Sequence, residues 1–126
     1  MINANFEYSG GSKPYLILSV NGHAGAGDIG HDIVCASCSI LSYTLAQAVL
    51  VMESEGKLRK TPKTDIEDGS GRIVVKPKEA YIMEALHYFY MAYVGFTLLH
   101  ENYPQFVGNV PFTGLPDKDK SKESLA

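Results

Sequence analysis

Cysteine is scarce in this chain: its 126 residues include two, Cys35 and Cys38. Two thiols so close in sequence cannot staple a fold, which excludes a disulfide scaffold. An excess of basic charge is also lacking, since 11 Lys+Arg face 14 Asp+Glu and leave a net charge of -3. That excludes the positive surface that nucleic-acid backbones require, so no nucleic-acid partner is expected. The opening residues, MINANFEYSGG, show no basic region followed by an apolar run and are not expected to act as a secretory signal. No run approaches the ~20 apolar residues of a membrane helix. The stretch from Ser39 to Met52 is interrupted by Ser42, Tyr43, Thr44 and Gln47 and reads as a buried helix, so no membrane partner is expected. Unpaired thiols suit a reducing compartment, and the expected localisation is cytoplasmic. What remains is ordinary globular composition, 45% hydrophobic and 20% charged. A chain of this length supports one core and one domain.

The order of elements follows from hydrophobic periodicity. In residues 2–8, Ile2, Ala4, Phe6 and Tyr8 alternate with polar residues and predict a half-buried strand. Ser9–Ser12 is a turn, and residues 15–21, YLILSVN, form the hairpin partner. A glycine-rich loop follows, Gly22 to Gly30, in which four of nine residues are glycine. Asp32 is positioned to cap a helix running to about Gly56. Val34, Cys38, Leu41, Leu45, Ala48 and Met52 mark its apolar face. Cys35, Ser39, Ser42 and Ala46 mark a neighbouring face of small residues that a backbone or a substrate can approach closely. Residues 57–67 read as a charged edge strand, Asp68-Gly69-Ser70-Gly71 as a turn, and residues 72–76 as the return strand. A second helix is predicted from about Glu79 to Asn102, with Ile82, Leu86, Phe89, Tyr93 and Phe96 on its core face. The expected fold is therefore α+β, a two-layer ββαββα arrangement with an antiparallel sheet covered by two helices. Residues 1–103 form the expected domain. Residues 104–126 form a C-terminal extension, partly docked through Val107, Val110 and Phe112 and then frayed.

One segment concentrates chemistry: Asn21 to Ser39, NGHAGAGDIGHDIVCASCS. His23 ends a strand, a loop follows, and Cys35 falls near a helix start. A cysteine attacks as thiolate, and an ordinary thiol is mostly protonated at neutral pH. A helix N-terminus favours the thiolate electrostatically, and an imidazole favours it further by accepting the proton. The twelve-residue spacing from His23 to Cys35 allows contact through a turning loop without requiring it.

The same segment resembles the ribosomal-processing cysteine protease Prp family. The matching residues are Gly22-His23 after a strand, the glycine loop, Asp32-Ile33-Val34-Cys35-Ala36, and Ser39. The order of elements extends the resemblance over residues 2–103. It implies an α+β cysteine endopeptidase, commonly a homodimer, that removes a short N-terminal extension from a large-subunit ribosomal protein. It further implies Cys35 as nucleophile, His23 as general base, Asp32 and Ser39 in supporting positions, and Gly22, Gly25, Gly27 and Gly30 in a loop that orders over the peptide. Amides at the helix start near Cys35 are the natural oxyanion donors. No metal or organic cofactor is expected.

Three other readings remain open on the residues alone. One is a related protease that cleaves a different protein, such as a phage structural protein. Cys35 and Cys38 form a Cys-x-x-Cys pair, which suits a redox site. His23, His31, Cys35 and Cys38 offer four ligands for zinc, although a knuckle rather than a continuous helix is its usual setting. The glycine loop lacks the ending of a phosphate-binding P-loop. His87 and His100 have structural roles, the latter near a helix C-terminus where a cation is favoured. The aromatic set Tyr81, Tyr88, Phe89, Tyr90, Tyr93 and Phe96 is too broad for one core stripe, and part of it suits a contact between two copies.

Overall fold

A computed structural model describes residues 1–22, 29–67 and 69–115, with residues 29–32 described by backbone alone. The described strands are β1 (Asn3–Ser9), β2 (Tyr15–Asn21), β3 (Lys63–Glu67), β4 (Ser70–Val75) and β5 (Phe112–Thr113). They form one sheet in the order β3-β4-β2-β1-β5. Helices α1 (Ile29–Ser54) and α2 (Ile82–Asn102) cover one face, and α2 is preceded by a single 3-10 turn, Glu79–Tyr81. The two-layer α+β architecture is the one expected.

Strand alternation builds the core. Ile2, Ala4 and Phe6 of the first hairpin arm, with Leu16 and Leu18 of β2 and Ile73 and Val75 of β4, are buried beneath the helices. Register follows directly: Phe6 pairs with Leu18 and Leu18 with Ile73, so one apolar row crosses three strands. From α2, Phe89 and Phe96 descend onto this row. Phe6 is the hub, with ring centroids 6.4 Å from Phe89, 6.0 Å from Phe96 and 5.3 Å from Phe112.

Three expectations need adjustment. The sheet is mixed rather than wholly antiparallel, because β5 joins β1 in parallel, Phe6 opposite Phe112. A two-residue strand leaves no periodic trace in sequence. The charged stretch becomes a strand only at Lys63, because Pro62 has no amide to donate. Before it, Leu58 is buried and Arg59 ties the segment down by donating to the carbonyls of Pro14 and Pro77. Third, α1 opens at Ile29, ahead of the expected Asp32 cap. A carboxylate gains from the helix dipole anywhere in the first turn, so Asp32 marks the start only to within a turn. One further contrast concerns hydropathy. Ile33–Ser54 has a mean hydropathy of 1.7 and by length and composition alone is apolar enough to cross a membrane. In this fold its Val34, Leu45, Val49 and Met52 side chains are buried in the core shared with the sheet.

Candidate active site

The first element of the site is the end of β2. Asn21 pairs with Ser70 of β4, which carries the β3–β4 turn alongside the point where the chain leaves the sheet. There the Gly22 amide donates to the Gly69 carbonyl at 3.0 Å. Gly22 has φ +105°, a conformation that L side chains rarely adopt, and a Cβ at this position would collide with the Met1 carbonyl. Glycine is therefore required by backbone geometry at the entrance of the loop.

Helix α1 supplies the opposite wall. Cys35, Cys38, Ser39 and Ser42 share a face at spacings of three and four. With Ile2, Val20 and Gly22 and the hairpin residues Ile66, Glu67, Gly69, Ser70 and Gly71, they enclose a cavity of about 80 Å³. Burial along the face is graded. Ser42 and Ala46 belong to the interior, Cys38 is 6% exposed, Cys35 is half-buried and Ser39 is exposed. Of the small-residue face predicted from sequence, Cys35, Ser39 and Ser42 line the cavity and Ala46 is buried in the core. The Ser42 hydroxyl donates to the Cys38 carbonyl at 2.9 Å, which satisfies it within the helix.

The two thiols differ in setting. No disulfide joins them. Burial, and secondarily the nearby charge of Cys35, push the Cys38 thiol up to about 11. Cys38 is therefore protonated and a poor nucleophile at ordinary pH.

The predicted site residues fare unevenly. Cys35, Ser39 and Gly22 meet at one cavity. Gly30, His31 and Asp32 fall in the first turn of α1. His23, Gly25 and Gly27 lie outside the described residues. Because α1 begins at Ile29, Cys35 sits in its second turn rather than its first. Its amide is committed to the i−4 carbonyl of an established helix, so it is not a spare oxyanion donor. The dipole effect, which fades beyond the first turn, contributes less at Cys35 than the sequence suggested. Among the described residues, no group of three or more His, Cys, Asp or Glu side chains gathers to hold a metal ion.

The hairpin wall was missed in sequence. Asp68-Gly69-Ser70-Gly71 was legible as a turn, but not as a boundary of the cavity. The available signal was register: pairing β4 against β2 forces that turn beside Gly22.

Comparison with known proteins supplies the remaining context. The family model of cysteine protease Prp matches residues 1–108. The chain is similar to the crystal structure of SMU.848 from Streptococcus mutans, at 31% identity and a TM-score of 0.63, covering 90% of this chain and 96% of that one. Two structures of the essential ribosomal processing protease Prp from S. aureus share the fold. One is in complex with a substrate peptide, at 20% identity and a TM-score of 0.63. The other has a covalently linked product peptide, at 22% identity and a TM-score of 0.62. Each match covers 90% of this chain and 100% of the other. No curated protein matches the chain in a sequence comparison.

Proposed function

Because the chain belongs to the cysteine protease Prp family, we propose that it is an endopeptidase with Cys35 as nucleophile and His23 as general base. The observation that carries this reading is the position of Cys35, half-buried on the wall of a cavity that Gly22, the covalent neighbour of His23, also lines. Cys38, one turn away, is too deeply buried and too weakly acidic to serve instead.

The chemistry balances with these two residues. His23 takes the Cys35 proton, and the Cys35 sulfur attacks the scissile carbonyl carbon. Collapse of the tetrahedral intermediate gives a thioester, and His23 passes the proton to the leaving amine. Water, activated by the same imidazole, then releases the new C-terminus. Since the helix amide at Cys35 is occupied, that amide is not among the donors to the oxyanion. The Ser39 hydroxyl, exposed and on the same cavity wall one turn from Cys35, is a side-chain donor available to it.

The substrate we propose is the N-terminal extension of a large-subunit ribosomal protein. The S. aureus relative is a ribosomal processing protease with a peptide bound, which supports a peptide substrate here. Strand β3 is an edge of the sheet and its hairpin forms one cavity wall, so an extended peptide has a backbone to pair with beside Cys35.

A synthetic peptide spanning such an extension tests the proposal by mass spectrometry. Wild type is expected to cut one bond. Cys35→Ala and His23→Ala are expected to lose on the order of 10³-fold or more of that activity. Cutting by Cys35→Ala would overturn the assignment. Absence of cutting by wild type would overturn the choice of substrate.

A further inference from the structure

Cys35 and Cys38 lie one helical turn apart and border the same cavity. Residues three apart in an α-helix have Cα atoms about 5 Å apart. That lies inside the roughly 4.4–6.8 Å range that disulfides span. We propose that Cys35 and Cys38 form a reversible intrahelical disulfide that shelters the Cys35 thiol from irreversible oxidation. That the bond also switches off peptide cleavage rests on the reading of Cys35 as nucleophile.

Several features favour the bond and its reversibility. Cys35 is accessible enough for a small reagent, whereas Cys38 is almost wholly enclosed, so the pair has a distinct attacking and resolving member. In a regular helix the Cβ atoms stand about 5–6 Å apart. Closure to the roughly 3.5–4.5 Å of a disulfide needs a local adjustment of the second turn. A bond formed against that resistance is strained and readily reduced, as a protective bond must be.

The oxidant is a low-molecular-weight disulfide such as oxidised glutathione. The Cys35 thiolate attacks one of its sulfurs, forming a mixed disulfide and releasing one glutathione thiolate. The Cys38 thiol then loses its proton and attacks the Cys35 sulfur, displacing the second glutathione. Both protein thiols are oxidised, one glutathione disulfide is reduced, and two glutathione thiols result. Burial, and secondarily the charge of Cys35, hold the Cys38 thiol up to about 11, so its thiolate is the minor form at neutral pH. Ring closure should accelerate about tenfold per pH unit while the Cys38 thiolate remains the minor form.

The test equilibrates the full chain with glutathione at graded ratios of oxidised to reduced form, alkylates remaining thiols, and reads intact mass and peptide maps. Oxidised wild type is expected to lose two hydrogens, take up no alkylating reagent, and yield a fragment in which Cys35 is joined to Cys38. Cys38→Ala is expected to stop at one glutathione on Cys35. Wild type that also stops at the glutathione adduct, or that cross-links between chains, overturns the proposal. Cleavage assays on the same samples separate the two readings. A disulfide in a chain that cleaves nothing when reduced leaves this proposal standing and removes the protease. Cleavage by reduced chain with no ring closure on oxidation does the reverse.

Discussion

At the scale of single residues, the site depends on one glycine and two unlike cysteines. Gly22 combines φ +105° with a Cβ position filled by the Met1 carbonyl. Gly22→Ala is therefore expected to cost at least about 2 kcal/mol, read by denaturant unfolding. Gly11→Ala is the control, since Gly11 has φ +92° but open space around it. It should lose only the conformational part, on the order of 1 kcal/mol. Cys38 makes a pH-dependent contribution of known sign. Its thiol is raised from 9.0 to about 11, so the folded chain retains a proton that the unfolded chain releases between those values. The associated stability is full below pH 9 and disappears as pH rises through 11. The stability difference between wild type and Cys38→Ala should shrink by roughly 2–3 kcal/mol across that interval. Groups that do not interact with Cys38 titrate alike in both proteins and cancel. Cys35 and Ser39 were legible in sequence because the helix period put them on one small-residue face. The deeper burial of Cys38 was legible too, because the same period put it on the apolar core face.

At the scale of elements, the long helices and the first hairpin could be read from periodicity because each buries a full apolar face. Residues 15–21 were predicted as β2 and adopt it. The failures share a cause: short elements held by long-range partners. β5 exists because the Phe6 amide bonds the Pro111 carbonyl and Phe112 stacks on Phe6. Neither contact has a local signature. The start of α1 was misplaced for a different reason, since a capping signal and a first-turn carboxylate look alike in sequence. Packing between the helices gives a test. A Cβ on Gly95 of α2 would lie 2.6 Å from the Leu41 Cδ2 atom of α1. Gly95→Ala gains about 1 kcal/mol of helix propensity and loses a comparable amount to the contact. In wild type the substitution should thus be nearly neutral. In a Leu41→Ala background it should stabilise by about 1 kcal/mol, a coupling that a double-mutant cycle measures directly.

At the scale of the whole molecule, both helices expose apolar side chains away from the sheet. Ile40 on α1 is 63% exposed and Met91 on α2 is 72% exposed, with Tyr43, Tyr90 and Leu98 also outside the core. We propose that a second copy of the chain covers this surface, as the family resemblance implies. Sedimentation should show a dimer in wild type and a folded monomer in Leu98→Glu. A wild-type monomer at all accessible concentrations would contradict it. The central claim remains that the Cys35 sulfur, and no other, carries the covalent step. The most direct measurement is acid-quenched mass spectrometry of the chain mixed with its peptide substrate. An acyl group is expected on Cys35, present in wild type and absent in Cys35→Ala. An acyl group on Cys38, or turnover with no acylated Cys35, would contradict it.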